Sequence, residues 1–298
     1  MVKFFRKYGK HYLMLLPFFI LFFVFFIYPI GYGVFTSFFK WDGIHEMEFI
    51  GMKNYRQVIN GKDTIKAYTN LMKYVLITVP VGITISLLLA ILVQSLSEKF
   101  RALFKSAYFL PYIIPMYLSA SIWRWMFAND VGLINVFLMK LGADQISWLS
   151  KPKYMLIATL VVDMWTACGF NMIILIAGLN DIPQVYYDAA KVDGASKWQE
   201  IIYVTVPQVW PVLFFCLTYG FISALQVFEN PWILSGSTYL QYGGTRGGFL
   251  YPVMDMMGRA FGSQKYGQAA AYGVILALVI LVFTVFQFIF RRRVEKNM

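Results

Sequence analysis

Long apolar stretches alternate with short polar segments along the whole chain. A bilayer core about 30 Å thick takes about 20 helical residues to cross, so each long stretch is a candidate membrane helix. The pattern predicts six such helices, at about residues 12–37, 71–96, 105–128, 154–178, 209–234 and 269–290. We therefore expect an all-α integral membrane protein with one transmembrane domain over residues 1–298.

Composition agrees with the apolar pattern. Hydrophobic residues make up 59% of the chain and charged residues 14%, and the mean hydropathy is +0.60. These values exclude an ordinary soluble domain. A net charge of +11 would suggest nucleic acid in a soluble protein, but much of it lies beside the apolar stretches, where the positive-inside rule accounts for it. Nucleic acid is therefore not an expected partner.

Cations at the two ends of the chain predict its orientation. They are Lys3, Arg6, Lys7, Lys10, Arg291, Arg292, Arg293 and Lys296. Cytoplasmic segments are rich in Lys and Arg, so we expect both termini to lie in the cytoplasm. The outward loops are then 38–70, 129–153 and 235–268, and the segment 179–208 is cytoplasmic.

The polar segment 181–207 carries the signals of two short helices joined by a turn. Two pairs of residues have the spacing of a capping box, which favours a helix start: Asp181 with Gln184, and Ser196 with Gln199. Gly194 is placed to end the first helix in a left-handed conformation. The sequence therefore predicts a helix-turn-helix on the cytoplasmic side.

One face of this segment is predicted to bind another protein. Four apolar residues recur there at helical spacing: Ile182, Val185, Ala189 and Val192. The alternative is an amphipathic helix on lipid headgroups, but such helices are rich in Lys and Arg. Here Asp and Glu outnumber Lys, and an anionic membrane surface would repel them. A protein partner is the favoured interpretation.

Several motifs resemble one family of transporters. In the polar segment they are Tyr187-Asp188-Ala189-Ala190, Asp193-Gly194-Ala195, Trp198-Gln199 and Val204-Thr205-Val206-Pro207. Elsewhere they include Gly51-Met52-Lys53-Asn54-Tyr55, Phe109-Leu110-Pro111, Trp123-Arg124-Trp125, Trp165, Ile182-Pro183, Arg259-Ala260-Phe261 and Tyr266-Gly267-Gln268-Ala269-Ala270. The first set resembles the EAA loop of the membrane subunits of ATP-binding-cassette importers. The second is similar to the sugar-importing branch, the maltose-type and glycerol-phosphate-type permeases.

The resemblance implies that the polar segment is a coupling loop. In the family this loop seats in a groove of an ATPase subunit and transmits the closure of the ATPase pair to the membrane helices. Carried onto this chain, the coupling residues are Asp188, Ala189, Ala190, Asp193 and Gly194. The family usually has glutamate where this chain has Asp188, so the carboxylate is kept but is one methylene shorter.

The resemblance also implies a location in the bacterial inner membrane and three kinds of partner: a second related permease chain in a heterodimer with this one, two ATPase subunits and an extracytoplasmic substrate-binding protein. The chain has no Gly-rich loop ending in Gly-Lys-Ser/Thr, so ATP and Mg²⁺ are expected on the ATPase subunits. His11 and His45 are the only histidines and have no metal-ligand spacing. We therefore expect a transport subunit without catalytic residues, a metal site or a cofactor of its own.

Charge within a membrane helix is costly and usually functional, which singles out Asp163 in the fourth predicted helix. Thr166, Ala167 and Phe170 follow it at spacings that keep them on the same helix face. This face offers an acceptor, a hydroxyl, open space and an aromatic plane, the mixture that a sugar needs. In maltose-type permeases sugar-contacting residues fall where this chain has Asp163 and Phe170, so the resemblance implies the same region.

A second polar stripe follows the fifth predicted helix. Tyr219, Ser223, Gln226 and Asn230 share one face, with Glu229 beside it. Hydrogen bonds between membrane helices, each worth about 0.6–2 kcal/mol, are the alternative role. For Ser223 and Asn230 both roles stay open. The two carboxylates in this region favour a neutral oligosaccharide over a strongly anionic substrate, whereas Arg246 and Arg259 in the last outward loop would favour an anionic one.

A self-sufficient transporter driven by an ion gradient is the alternative function. It predicts inverted repeats and helices broken at matched positions. The sequence shows no such repeat, and an ion-driven transporter leaves the polar helix-turn-helix unexplained. A membrane-embedded enzyme lacks any pairing of a nucleophile with a base. The permease subunit of an ATP-driven sugar importer is therefore the main prediction.

Overall fold

The computed structural model describes the backbone of residues 2–295 and the side chains of residues 12–293. Most of the described residues are helical. The cationic side chains of Lys3, Arg6, Lys7, Lys10 and Lys296, which predict the orientation, lie outside the described side chains.

The first half of the chain contains seven α-helices and a small hairpin. In order, the elements are α1 Val2–Phe22, a π-helical segment Phe23–Ile27, α2 Tyr28–Thr36, β1 Phe39–Lys40, β2 Glu48–Phe49, α3 Lys53–Ile59, α4 Lys62–Gln94, α5 Glu98–Ile113, α6 Met116–Met126 and α7 Leu133–Lys140. The two strands are antiparallel, and Phe39 pairs with Phe49.

The second half contains seven more α-helices. They and the segments between them are α8 Pro152–Asn180, α9 Gln184–Val192, α10 Lys197–Gln199, a π-helical segment Glu200–Thr205, α11 Val206–Leu225, α12 Glu229–Ser235, a 3₁₀ turn Thr245–Gly247, α13 Pro252–Met257, a π-helical segment Gly258–Gly262 and α14 Tyr266–Glu295.

Five helical segments in the described part of the chain are long and apolar enough to cross a membrane. They are Tyr12–Thr36, Lys62–Gln94, Pro152–Asn180, Lys197–Leu225 and Tyr266–Arg293. Each overlaps one of the predicted spans, namely the first, second, fourth, fifth and sixth. The chain is therefore a mostly helical protein with several membrane-length helices.

The third predicted span, 105–128, is not one helix. α5 ends at Ile113 and α6 begins at Met116. Between them Ile114 adopts an extended conformation, with ψ 127°. Pro115 causes this, because a proline ring clashes with a helical conformation of the preceding residue. The prediction of a continuous helix is wrong here.

The fifth predicted span, 209–234, is also interrupted. α11 ends at Leu225, and α12 begins only at Glu229. Pro231 explains why the helix does not simply continue, because proline lacks the N–H that would donate to the carbonyl four residues earlier. Glu229 and Asn230 therefore lie on a separate short helix and not on an extension of the stripe along α11.

The interior lies where α4, α8 and α11 pack together. Leu71 of α4, Met172 and Leu175 of α8 and Val209 of α11 are completely buried. By contrast, none of the apolar window of Tyr12–Thr36 is buried within this chain. The apolar window of the first long helix therefore contributes no buried residue to this interior.

α5 crosses α8 at Gly169, where the two backbones nearly touch. A Cβ atom added at Gly169 would lie 2.9 Å from the Cα of Phe109 and would overlap the carbonyl oxygen of Tyr108. Only a residue without a side chain permits this approach, which is the usual role of small residues at crossings of membrane helices.

The segment that follows α12 contains a buried ion pair, which is joined to the start of α4 by hydrogen bonds with Thr64. Arg259 donates to Asp255 at 3.0 Å and to the Thr64 hydroxyl at 3.2 Å. The Asp255 side chain is 1% exposed. Tyr242 donates to the same carboxylate at 3.3 Å, and burial raises the pKa of Tyr242 to about 12. Buried charges of this kind are stable only when paired.

Candidate functional site

A cavity of about 760 Å³ opens between α4, α5, α8, α11 and α12. All of the residues predicted to contact substrate line it: Asp163, Thr166, Ala167, Phe170, Ser223, Gln226, Glu229 and Asn230. Its volume falls in the range of small-molecule sites. The two polar stripes predicted on separate helices therefore line the same cavity.

Asp163 connects three helices at the wall of this cavity. Its Oδ2 accepts a hydrogen bond from the Tyr74 hydroxyl at 2.6 Å and another from Asn230 Nδ2 at 2.9 Å. Tyr74 lies on α4 and Asn230 on α12. Asp163 is thus tied to the neighbouring helices by one oxygen.

Asn230 is part of the same network and is buried. Its side chain is 1% exposed, and Nδ2 also donates to the carbonyl oxygen of Thr159 at 3.0 Å. Both neighbours of the Nδ2 atom are acceptors, which fixes the orientation of the amide. Of the two roles left open for Asn230, these contacts support the one that holds α12 against α8.

Thr166 and Ala167 differ in what they offer. Thr166 is 6% exposed, and its hydroxyl donates within its own helix, to the carbonyl oxygens of Val162 and Asp163 at 3.1 Å. That hydroxyl is therefore already engaged. Ala167 is exposed and leaves open space in the wall.

Aromatic rings form another side of the cavity. Phe170 stacks on Tyr112 of α5, with ring centroids 4.5 Å apart and planes 15° apart. Tyr219 of α11 contacts Phe170 at 5.8 Å and stacks on Phe215 at 6.4 Å. Such ring faces suit the C–H face of a sugar.

The α11 side of the cavity presents exposed polar groups. Ser223, Gln226 and Glu229 are all exposed. Gln226 donates through Nε2 to the carbonyl oxygen of Ile222 at 3.0 Å. Glu229 begins α12 and has neither an ion-pair nor a hydrogen-bond partner in the described part of the chain.

Several lining residues were missed from the sequence, among them Tyr74, Tyr112 and Asn171. Asn171 had a signal, since it lies four residues after Ala167 and hence on the same face of α8. The other two had none, because a tyrosine in an apolar stretch looks like any buried aromatic. Only the packing of α4 and α5 on α8 brings them to the cavity.

A second candidate site is the hairpin of α9 and α10. Gly194 has φ 76°, the left-handed conformation predicted for it. The Ala195 N–H donates to the Ala190 carbonyl at 2.9 Å, and the Gly194 N–H donates to the Lys191 carbonyl at 3.0 Å. This pair of bonds is the Schellman motif, which ends a helix by satisfying its last carbonyl groups.

The two predicted capping boxes have different outcomes. Ser196 and Gln199 form one, with the Ser196 N–H donating to Gln199 Oε1 at 2.7 Å. The other is wrong, because Asp181 ends α8 and Pro183 precedes α9 without a side-chain cap. Proline at that position supplies the start of α9, and Gln184 donates instead to Asp188 at 3.2 Å.

The predicted coupling residues lie at the surface, with one exception. Asp188, Ala189, Asp193 and Gly194 are exposed, whereas Ala190 is 9% exposed. The hydrogen bond from Gln184 and the ammonium of Lys191, 3.3 Å away, lower the pKa of Asp188 below its usual value. Asp188 therefore presents an ionised carboxylate at neutral pH.

No group of three His, Cys, Asp or Glu side chains among the described residues is placed to hold a metal ion. Cys168 and Cys216 are both buried. The candidate sites are thus a cavity between membrane-length helices and an exposed polar hairpin.

Comparison with known proteins identifies the family. Residues 82–296 match the family model described as "Binding-protein-dependent transport system inner membrane component". The chain is 33% identical over 281 residues to the arabinooligosaccharides transport system permease protein AraP of Bacillus subtilis, covering 94% of this chain and 87% of AraP. It is 28% identical to the trehalose/maltose transport system permease protein MalF of Thermococcus litoralis, covering 94% of this chain and 93% of MalF.

A crystal structure of a bacterial ABC transporter involved in the import of the acidic polysaccharide alginate contains a chain with the same fold, at a TM-score of 0.86 and 24% identity, covering 98% of each chain. The chain therefore belongs to the family of inner membrane components of binding-protein-dependent transport systems.

Proposed function

We propose that this chain is the permease subunit of an ATP-driven, binding-protein-dependent importer of oligosaccharides. It crosses the inner membrane six times with both termini in the cytoplasm, the third crossing being made by α5 and α6 together. The chain has no catalytic residues, and ATP and Mg²⁺ bind to partner ATPase subunits. The single observation that carries this proposal is the cavity, because every residue predicted to contact a sugar lines it.

The chemistry of the cavity supports a sugar substrate. Exposed Ser223, Gln226 and Glu229 offer directed hydrogen bonds, and Phe170 with Tyr112 offers an aromatic surface. Sugars need both, because their hydroxyls are polar and their ring C–H faces are apolar. The names of AraP and MalF, which refer to arabinooligosaccharides and to trehalose and maltose, support the same conclusion.

The hairpin is proposed to couple this subunit to an ATPase through Asp188, Ala189, Ala190, Asp193 and Gly194. Around these residues the hairpin exposes large apolar side chains: Val185, Val192, Trp198, Ile202 and Tyr203. Exposed apolar groups rimmed by polar ones are typical of a surface that binds protein.

A continuous helical segment, Lys197–Leu225, leads from the hairpin to the cavity. It begins at the hairpin, passes through the π-helical segment and ends beside Ser223 and Gln226. Tyr187 of α9 hydrogen-bonds Thr205 of that segment at 3.2 Å, so both arms of the hairpin are joined to the same helix. A displacement of the hairpin by an ATPase would therefore move one wall of the cavity.

Three kinds of partner complete the proposed transporter. They are a second, homologous permease subunit that forms a heterodimer with this chain, two ATPase subunits, and an extracytoplasmic substrate-binding protein. The outward loops 38–70 and 235–268 are the proposed surface for the binding protein.

Substitution of Gly194 tests the coupling role. A Cβ at this position would meet nothing within 4 Å, so a side chain acts only through the backbone or through a partner. In Gly194→Val the left-handed conformation costs about 1–2 kcal/mol, whereas asparagine tolerates it. We expect the ATPase subunits to co-purify with the wild type and with Gly194→Asn in mild detergent, and to be lost or reduced with Gly194→Val.

Saccharide uptake by the same proteins in proteoliposomes distinguishes the ATP-driven importer from the ion-driven secondary transporter. Saccharide uptake that requires ATP, and that falls with Gly194→Val but not with Gly194→Asn, supports the importer. Uptake that persists without ATP and collapses when an ion gradient is removed would instead support the secondary transporter.

A further inference from the structure

The ionisable side chains around the cavity carry only one sign of charge. Its acidic lining residues are Asp163 and Glu229, and no lysine, arginine or histidine is among its lining residues in the described part of the chain. Neither arginine of the nearby outward segment, Arg246 or Arg259, lines the cavity, and Arg259 is paired with Asp255.

The two carboxylates differ in how they are engaged. Oδ2 of Asp163 accepts hydrogen bonds from Tyr74 and Asn230, so part of its charge is compensated inside the wall. Glu229 is exposed to the cavity and has no partner in the described chain. An anion that enters the cavity therefore meets Glu229 without an intervening cation.

Uncharged hydroxyls suit this lining and carboxylates do not. A hydroxyl can donate to Asp163 or Glu229, whereas an ionised carboxylate can only accept. Bringing a saccharide carboxylate into the cavity would remove its water and give it no ion-pair partner, which is strongly unfavourable. A neutral sugar ring can stack its C–H face on the aromatic rings of Phe170, Tyr112 and Tyr219. Its hydroxyls can donate hydrogen bonds to the two carboxylates.

We propose that the cavity selects uncharged, hydroxyl-rich saccharides and excludes acidic ones, with Glu229 as the residue that sets this selectivity. The inference rests on the proposed function, since it names the substrate class of the same cavity. It separates this chain from a transporter of an acidic polysaccharide with the same fold.

The charge preference can be measured without knowing the substrate. Cys168 and Cys216 are replaced by alanine, and Ser223→Cys places one thiol in the exposed wall of the cavity. The complete transporter, in membrane vesicles, is labelled with two methanethiosulfonate reagents that carry a trimethylammonium or a sulfonate group. The ratio of the two labelling rates is compared with the ratio for 2-mercaptoethanol in solution, which removes the intrinsic reactivity of the reagents.

We expect the cationic reagent to be favoured at Ser223→Cys by about tenfold over the solution ratio, a difference of about 1.4 kcal/mol. Glu229→Gln should remove most of this preference. Asp144→Asn is the matched control, because it removes a carboxylate that is exposed and lies outside the cavity, and it should leave the ratio unchanged. A ratio at or below that in solution, or an equal loss in both variants, would overturn the proposal.

Uptake then tests the substrate class itself. Proteoliposomes containing the whole complex and its binding protein are offered neutral trisaccharides and their uronate counterparts, in which a CH₂OH group is replaced by a carboxylate. Faster uptake of a uronate than of every neutral member overturns the selectivity but leaves the importer assignment standing. A cation-preferring cavity in a complex that takes up no saccharide with ATP overturns the importer assignment instead.

Discussion

The crossing of α5 and α8 at Gly169 makes a quantitative prediction. In Gly169→Ala the new methyl carbon would stand 2.9 Å from the Cα of Phe109 and overlap the Tyr108 carbonyl oxygen. Carbon atoms in contact normally lie about 3.5–4.0 Å apart, so the helices must separate by at least about 0.6 Å. The obstructing atoms are backbone atoms, and no side-chain rotation can relieve the overlap.

The expected cost is that of overpacking a close interface, about 1–3 kcal/mol. Replacing glycine by alanine within a helix also contributes about 0.5–1 kcal/mol of stabilisation, which would partly hide this cost. Gly82→Ala is therefore the matched control. Gly82 lies within α4 and lines the same cavity, but a Cβ there would meet nothing within 4 Å. The difference between the two variants isolates the overpacking term.

Unfolding of each purified variant in detergent, titrated with sodium dodecyl sulfate, measures that difference. We expect Gly169→Ala to be less stable than Gly82→Ala by about 1–3 kcal/mol. We also expect reduced saccharide uptake by Gly169→Ala, because α5 carries Tyr112 of the aromatic wall. Equal stabilities would refute the close crossing of α5 and α8 and the shape of the cavity that depends on it.

Three other predictions concern the polar contacts that fasten the loops. Arg259→Met leaves Asp255 buried without its partner and should destabilise the protein by about 3–5 kcal/mol, whereas Lys40→Met in an exposed pair should cost about 0–1 kcal/mol. Asn135 is completely buried and donates to three carbonyl oxygens, so Asn135→Ala should cost more than about 2 kcal/mol through unsatisfied buried groups. Ser196→Ala removes a helix cap and should weaken the hairpin by about 1 kcal/mol, measured as faster backbone hydrogen exchange in α10.

The same detergent titration checks the first two of these predictions. If Arg259→Met and Lys40→Met shift the midpoint equally, the ion pair is not desolvated as described. A neutral Asn135→Ala would show that water replaces its hydrogen bonds. Unchanged exchange in the Ser196→Ala hairpin would mean that the cap contributes nothing to α10.

Several features were determined by the sequence alone, because their causes are local. The length of the apolar stretches predicted the membrane-length helices. The left-handed conformation of Gly194 and the cap at Ser196 follow from residues within four positions of each other. The helical period placed Asp163 and Phe170 on one face of α8, and the structure finds both at the cavity. Helix periodicity and capping depend on neighbours in the chain, so the chain alone reveals them.

Other features were missed from the sequence, and the contacts between helices were decided only by the tertiary structure. The interruptions of the third and fifth predicted spans have a local cause in Pro115 and Pro231. They were not predicted because the composition of both spans is predominantly apolar. Nothing in the sequence indicated that Tyr74 belongs to the cavity, because its hydrogen bond to Asp163 joins residues 89 positions apart. Asn230 could not be assigned from spacing, since its role depends on which helix α12 packs against. Contacts between helices are set by packing across the fold, and no periodicity within one helix encodes its neighbours.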